Sequence, residues 1–353
     1  MAPKVRVLVV DDSAFMRRVV SDILQSDNRL EVISTARDGL DAIEKIKGLK
    51  PDVVTLDIEM PRLNGIEALE RIMAECPTRV VMVSSLTQRH ARETIRALSL
   101  GAVDFVPKPS SGLFPDMSSL KDELVSKVWA SARARLRPVY RPPETRPVRK
   151  IAPEKTQAAR AVVVVGSSTG GPSALQDVMK SLPAGLPAGV LVVQHMPAGF
   201  TRSLAERLNH LSHLEVVEAS GGEQIVEGRA IMAPGGFHMT FDRDLQVSLT
   251  TDPPRHGVRP AVDVTMEAAA AVFGPNCVGV VLTGMGFDGS KGCSAIKSRA
   301  GTVIAEHEST CVVYGMPRAV IEMGYADRVC PIGEIADAIK EAVDGLCTRR
   351  CSA

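Results

Sequence analysis

At 353 residues the chain exceeds a usual single domain of ~100–200 residues, so two domains are expected. Its 42 basic and 41 acidic side chains nearly cancel, and no global field marks it as a binder of nucleic acid or acidic surfaces. Seven cysteines, an odd number without a CxxC pair, argue against a disulfide framework and a zinc ribbon, and no stretch of ~18 apolar residues could cross a bilayer; a reducing, cytoplasmic setting is expected.

Strand-like runs open the chain: VRVLVV (5–10), LEVIST (30–35), DVVTLD (52–57), RVVMVSS (79–85) and DFVPK (104–108). They alternate with segments of helical period, as over 13–25, where Phe15, Met16, Val19, Val20, Ile23 and Leu24 recur along a face. Five such units predict a parallel sheet with helices on both sides. Residues 137–160 then carry prolines at 138, 142, 143, 147 and 153 among many basic residues, which predicts an extended tether. Its charge reads as a solvated surface, because Tyr140 is the one aromatic interleaved with it. Strand-like runs resume at 161–166, 189–194, 229–233, 277–283 and 301–306, with helices expected over 173–181, 202–208, 264–273, 293–300 and 335–346. A second α/β domain follows.

In an open parallel sheet, ligands gather at the carboxyl ends of the strands. Asp11 and Asp12 end the first strand, Asp57 the third, Ser84 the fourth and Lys108 the fifth. Clustered carboxylates repel unless a cation neutralises them, and hard oxygen donors suit Mg²⁺. A carboxylate beside such a cation, with a lysine and a hydroxyl nearby, is equipped to accept a phosphoryl group. Strand-end residues often only cap the next helix, as Asp12 or Ser13 would, but five at successive strand ends outweigh that reading.

The segments VLVVDDSAFMRR, TLDIEMPRLNGIEAL, VMVSS and DFVPKP resemble the receiver domain of bacterial response regulators over about 4–125. The resemblance implies that Asp57 is the phosphoacceptor and that Asp11, Asp12, Asp57 and the backbone carbonyl of Glu59 hold Mg²⁺. It further implies that Ser84 is the switch hydroxyl, that Lys108 pairs with the phosphoryl group and that Phe105 is a rotating aromatic. The Lys108–Pro109 bond is a candidate cis peptide.

The run AVVVVGSSTGGP (161–172) has the residues of neither a Walker loop nor a dinucleotide fingerprint. Gly166-x-Ser168-x-Gly170 has the spacing of a nucleophile elbow, where glycines permit a sharp turn that lifts one hydroxyl into the open. The helix expected from about Pro172 or Ser173 would present amides to a developing oxyanion. A plain turn is the alternative. A serine nucleophile needs a base and an orienter for that base. His195 ends the next strand, while His238 and His256 compete with it; Asp288 follows a strand in a glycine-rich loop, and periodicity does not separate it from Asp263 or Asp242.

GSSTGGP, QHMP, APGGFHM, RPAVDV and LTGMGFDG together resemble the effector domain of the chemotaxis protein-glutamate methylesterase across about 161–346. The resemblance implies Ser168 as nucleophile, His195 as base, Asp288 as its orienter and the Met285 amide as oxyanion donor. The order Ser–His–Asp differs from that of α/β-hydrolases, so the elbow is convergent local geometry. The expected organisation is two doubly wound parallel-sheet domains: a flavodoxin-like receiver (1–125), a helix end and Pro/Arg-rich linker (126–160), a Rossmann-like methylesterase domain (161–346) and a tail (347–353). The implied function is phosphorylation-activated demethylation of glutamate esters on chemoreceptors, with glutamine deamidation by the same machinery, a chemotaxis histidine kinase as phosphodonor and no cofactor for the ester step. Neither nucleic acid nor membrane insertion is expected, and the unphosphorylated receiver is expected to shield the Ser168 edge. Three rivals are an output domain that only docks a partner, a DNA-binding output, which lacks a basic recognition helix, and a cysteine hydrolase using Cys293 or Cys311.

Overall fold

The computed structural model describes residues 3–85, 87–108, 117–136 and 157–351. The Lys108–Pro109 bond and most of the expected linker lie outside them. The chain divides into two compact units, Met1–Arg141 and Pro142–Ala353.

The first unit alternates β1 (Val5–Val10), α1 (Ala14–Gln25), β2 (Leu30–Ala36), α2 (Gly39–Leu49), β3 (Val53–Asp57), α3 (Gly65–Glu75), β4 (Arg79–Ser84), α4 (Gln88–Ser99), β5 (Asp104–Pro107) and α5 (Met117–Ser131). The sheet order is β2-β1-β3-β4-β5, and all pairs are parallel. This is the flavodoxin-like order expected of a receiver. Every residue of β3 is buried, as a central parallel strand covered on both faces requires. Ser13 caps α1 by accepting from the Met16 amide. Phe15 departs from the expected helix face: it is 73 % exposed, whereas Val20, Ile23 and Leu24 are buried. At ~100° per residue the six apolar positions span more arc than a core-facing stripe, and Phe15 falls on its margin.

The second unit comprises β6 (Val162–Ser167), α6 (Gly171–Ser181), β7 (Gly189–Gln194), α7 (Phe200–Leu211), β8 (Glu215–Glu218), β9 (Arg229–Met232), β10 (His238–Phe241), β11 (Val247–Thr250), α8 (Val262–Phe273), β12 (Cys277–Val281), α9 (Ser290–Ser298), β13 (Thr302–Glu306), α10 (Met316–Glu322), β14 (Arg328–Cys330) and α11 (Ile332–Cys351). Seven strands form a parallel sheet in the order β14-β13-β12-β6-β7-β9-β8. β10 and β11 form a separate antiparallel hairpin. The hairpin, β8 and β14 were not expected from the sequence, because strands of three or four residues show no sustained apolar run.

From β6 the chain passes to β7, then to β8 at the sheet edge and back to β9 between them, and returns through α8 to place β12 on the other flank of β6. That reversal opens a crevice at the carboxyl ends of β6 and β12. Val262, Met266, Ala269, Ala270 and Phe273 of α8 pack in one core with Val162, Val164, Leu191, Val193 and Val281 of the sheet. Each large apolar side chain buried there contributes about 1.5–3 kcal/mol, which anchors the start of α8 beneath the crevice.

Candidate active site

The carboxyl edge of the first sheet collects the residues expected there. Carboxylate oxygens of Asp11, Asp12 and Asp57 converge within 4.8 Å, with Asp11 and Asp57 buried and Asp12 exposed. This set of hard oxygen donors fits Mg²⁺. Lys108 Nζ lies 2.8 Å from both Asp11 Oδ2 and Asp57 Oδ2. Burial pushes the Asp57 carboxyl up to about 6 despite the opposing pull of Lys108. Burial also disfavours the Lys108 ammonium, but Asp57 and Asp11 outweigh it and hold its pKa above the ordinary value. Backbone amides of Ser13 and Ile58 donate to Asp11 and Asp57 at 2.9 and 2.8 Å, fixing both carboxylates.

Ser84 is fully buried, and its Oγ accepts from Thr94 Oγ1 at 3.0 Å. Phe105 is buried, with Lys127 Nζ 5.0 Å from its ring centre. Glu59 is exposed two residues beyond Asp57, and its carboxylate lies 2.7 Å from His90 Nε2 without hydrogen-bond alignment.

In the second unit, Ser168 follows β6, His195 follows β7 and the Gly284–Asp288 loop follows β12, so three adjacent strands deliver them to the crevice. The His195 amide donates to the Ser167 carbonyl at 3.1 Å, which makes Ser168 and His195 the next neighbours in register on strands about 4.8 Å apart. His195 Nε2 is 2.7 Å from Asp288 Oδ2. An ionised carboxylate only accepts, so the ring proton sits on Nε2 and the Nδ1 lone pair is left to serve as base. Among the described residues Ser168 Oγ has no hydrogen-bond partner, an open geometry common before substrate binds.

Asp288 is buried and saturated. Besides His195 it accepts from the amides of Val262, Asp263 and Gly289 at 2.7, 3.0 and 2.9 Å. Burial raises its pKa, but His195 and the amides outweigh burial and hold the carboxyl below its ordinary value. The elbow itself needs its glycines: Gly170 has φ +78°, and a Cβ there would meet Val312 at 2.5 Å. Gly284 packs so closely that a Cβ would lie 2.8 Å from Ser168 Cβ, which brings the next residue, Met285, to the rim of the serine.

The competing residues take other partners, although His256 and Asp263 stay within 4.8 Å of the Asp288 carboxylate. His238 Nδ1 accepts from the Ala261 amide at 3.2 Å and its Nε2 donates to the Pro253 carbonyl at 3.2 Å, so both ring nitrogens serve the backbone. His256 pairs with Asp263 at 2.9 Å, and Asp242 accepts from the Asp244 amide in the β10–β11 turn.

Sequence reasoning passed over Gln194, Thr283 and Glu306. Gln194 accepts from Ser167 Oγ at 2.7 Å and donates to the Ser168 carbonyl at 2.9 Å, clamping the elbow. Thr283 accepts the Ser168 amide on its carbonyl at 3.1 Å, and its own amide donates to buried Glu306 at 2.8 Å. Both Gln194 and Glu306 end strands, and the strand-end rule applied evenly would have found them. Gln194→Leu is expected to cost about 1–3 kcal/mol in urea unfolding, because it orphans buried polar groups at the elbow.

The protein family profile described as CheB methylesterase matches residues 163–339, and the response regulator receiver domain profile matches 7–113. A protein-glutamate methylesterase/protein-glutamine glutaminase of Symbiobacterium thermophilum is 54 % identical over 96 % of this chain and 97 % of its own length. Its counterpart in Pyrococcus abyssi is 47 % identical over 97 % of this chain and 94 % of its own. The crystal structure of the Thermotoga maritima CheB methylesterase catalytic domain shares 47 % identity and a TM-score of 0.50, covering 51 % of this chain and 97 % of that one. Agreement along the whole length of such relatives, over both the receiver and the effector portions, means that the chain belongs to the protein-glutamate methylesterase/protein-glutamine glutaminase family.

Proposed function

We propose that the second unit hydrolyses glutamate methyl esters on chemoreceptors in the cytoplasm, and deamidates glutamines, under control of phosphorylation at Asp57. The observation that carries this reading is the His195–Asp288 pair beside Ser168 at the switch point of the sheet. Ser168 Oγ attacks the ester carbonyl while His195 Nδ1 takes its proton. Asp288 keeps the imidazole in that tautomer and stabilises the imidazolium, and the Met285 amide receives the developing oxyanion. His195 returns the proton to methanol, and water then releases the glutamate carboxylate through the reverse sequence. No step in this scheme calls on a cofactor, a nucleic acid or a membrane.

In the receiver, Asp57 accepts a phosphoryl group from a histidine kinase, Lys108 neutralises the added charge and the Ser84 hydroxyl hydrogen-bonds the product. Asp11, Asp12, Asp57 and the Glu59 carbonyl would hold Mg²⁺, which when bound screens the carboxylates from the incoming phosphoryl oxygens. Phe105 is proposed to rotate with Ser84 as the switch is thrown.

The test is methanol release from a methylated chemoreceptor, with and without a phosphodonor. A second, independent measurement addresses a cysteine nucleophile. Cys293 and Cys311 are buried, and burial pushes the Cys293 thiol well above its ordinary pKa. Iodoacetamide applied to the folded chain is therefore expected to leave methanol release unchanged; loss of turnover in step with modification of either cysteine would revive the thiol mechanism.

A further inference from the structure

The helices α8 and α9 begin without caps of their own: their N-cap residues, Ala261 and Gly289, provide no side-chain hydrogen bond. The orphaned amides of each are met by the aspartate that leads the other. Asp288, just before α9, accepts from Val262 and Asp263 at the start of α8, at 2.7 and 3.0 Å. Asp263, in the first turn of α8, accepts from Gly289 and Gly292 at the start of α9, at 2.9 and 2.7 Å. Asp263 is fully buried, and its second oxygen accepts from His256 Nε2 at 2.9 Å. The His256 ring in turn meets Phe287, the neighbour of Asp288, edge-on at 4.7 Å between centres.

This reciprocal capping means that neither aspartate can move alone. Asp288 can hold His195 only where the start of α9 stands, and Asp263 fixes that start through the Gly289 amide, which it shares with Asp288, and the Gly292 amide. His256 keeps Asp263 turned toward α9 and braces the loop from outside. We propose that Asp263 is a positioning residue for hydrolysis, locking Asp288 against His195 by capping the helix that Asp288 leads. The inference rests on the serine-hydrolase reading of Ser168, His195 and Asp288.

The experiment compares Asp263→Ala, Asp263→Asn and His256→Asn with wild type and Ser168→Ala in the full chain. The readouts are methanol release from methylated chemoreceptor, thermal unfolding and the proton resonance of His195 Nε2–H. Asp263→Ala is expected to lower kcat about 100-fold with KM changed less than about twofold, and to shift or broaden the His195 resonance. Asp263→Asn keeps an acceptor for the two amides and should restore most of both. His256→Asn suits the left-handed backbone at that position, φ +55°, but its shorter side chain withdraws the donor from Asp263; a smaller loss of kcat with a moved resonance is expected. A fall in unfolding temperature with kcat and the resonance unchanged would overturn the positioning role. If Asp263→Ala does not fold, His256→Asn decides: wild-type kcat and resonance there would overturn it. Turnover surviving Ser168→Ala would instead defeat the hydrolase reading itself.

Discussion

Ser168→Ala is expected to lower methanol release from a methylated chemoreceptor by a factor on the order of 10⁴–10⁶, while the chain stays folded. The change removes one oxygen that has no hydrogen-bond partner among the described residues, and the turn is held by other groups. Its amide donates to Thr283, its carbonyl accepts from Gly171 and Gln194, and the glycines on either side are untouched. Stability should therefore move by less than about 1 kcal/mol, as for substitutions away from packed or bonded sites. His195 would then have nothing to deprotonate except water, and the residual rate would come from the oxyanion site and substrate binding. Circular dichroism and thermal unfolding run beside the assay separate loss of chemistry from loss of fold. An output unit that only docks a partner predicts that signalling survives the substitution. Unchanged methanol release would remove Ser168 from the reaction.

Asp57→Ala is expected to abolish phosphoryl incorporation and with it all phosphodonor-dependent stimulation, leaving basal hydrolysis as in the wild type. The carboxylate stands at the end of β3, 2.8 Å from Lys108 Nζ and next to β4, which Ser84 ends, and burial pushes it up to about 6. Removing it also relieves repulsion with Asp11, 2.8 Å from the same Lys108 ammonium, so the receiver should be no less stable. Shifting an inhibited population from 99:1 to 1:99 would need about 5.5 kcal/mol of differential stabilisation, an upper bound for what phosphorylation must supply. Radiolabel transfer from the kinase and methanol release measured on the same variant test the two halves together. Stimulation that persists without Asp57 would place the phosphoacceptor elsewhere.

The chemistry-bearing ends of the long central strands were readable in advance. Asp11, Asp57 and Ser84 stand at the ends of apolar runs buried on both faces, and a parallel strand of that kind stops where polar groups begin, while Lys108 follows the short edge strand β5, of which only Pro107 is not buried. Gly166-x-Ser168-x-Gly170 was readable for the same reason, since a turn that tight leaves few residue types available. The short edge strands β8 and β14 and the β10–β11 hairpin were not, because segments of three or four residues carry too little pattern to register. Phe15 was misplaced by reading periodicity alone, which says which residues share a face but not how wide the neighbouring core is.

What the amino-acid order determines by itself is local: apolar runs, the groups that terminate them and the glycines that permit a sharp turn. Which imidazole meets which carboxylate is not local. The strand-end position favours His195 over His238 and His256 in the sequence, but only the strand order β12-β6-β7 sets it beside Ser168 and brings Asp288 to it from 93 residues away. The cross-capping of α8 and α9 is likewise invisible in either helix alone, since each supplies the acceptor the other lacks. Contacts of that kind arise when buried amides must find partners, and the partners are chosen by packing in three dimensions rather than by position along the chain.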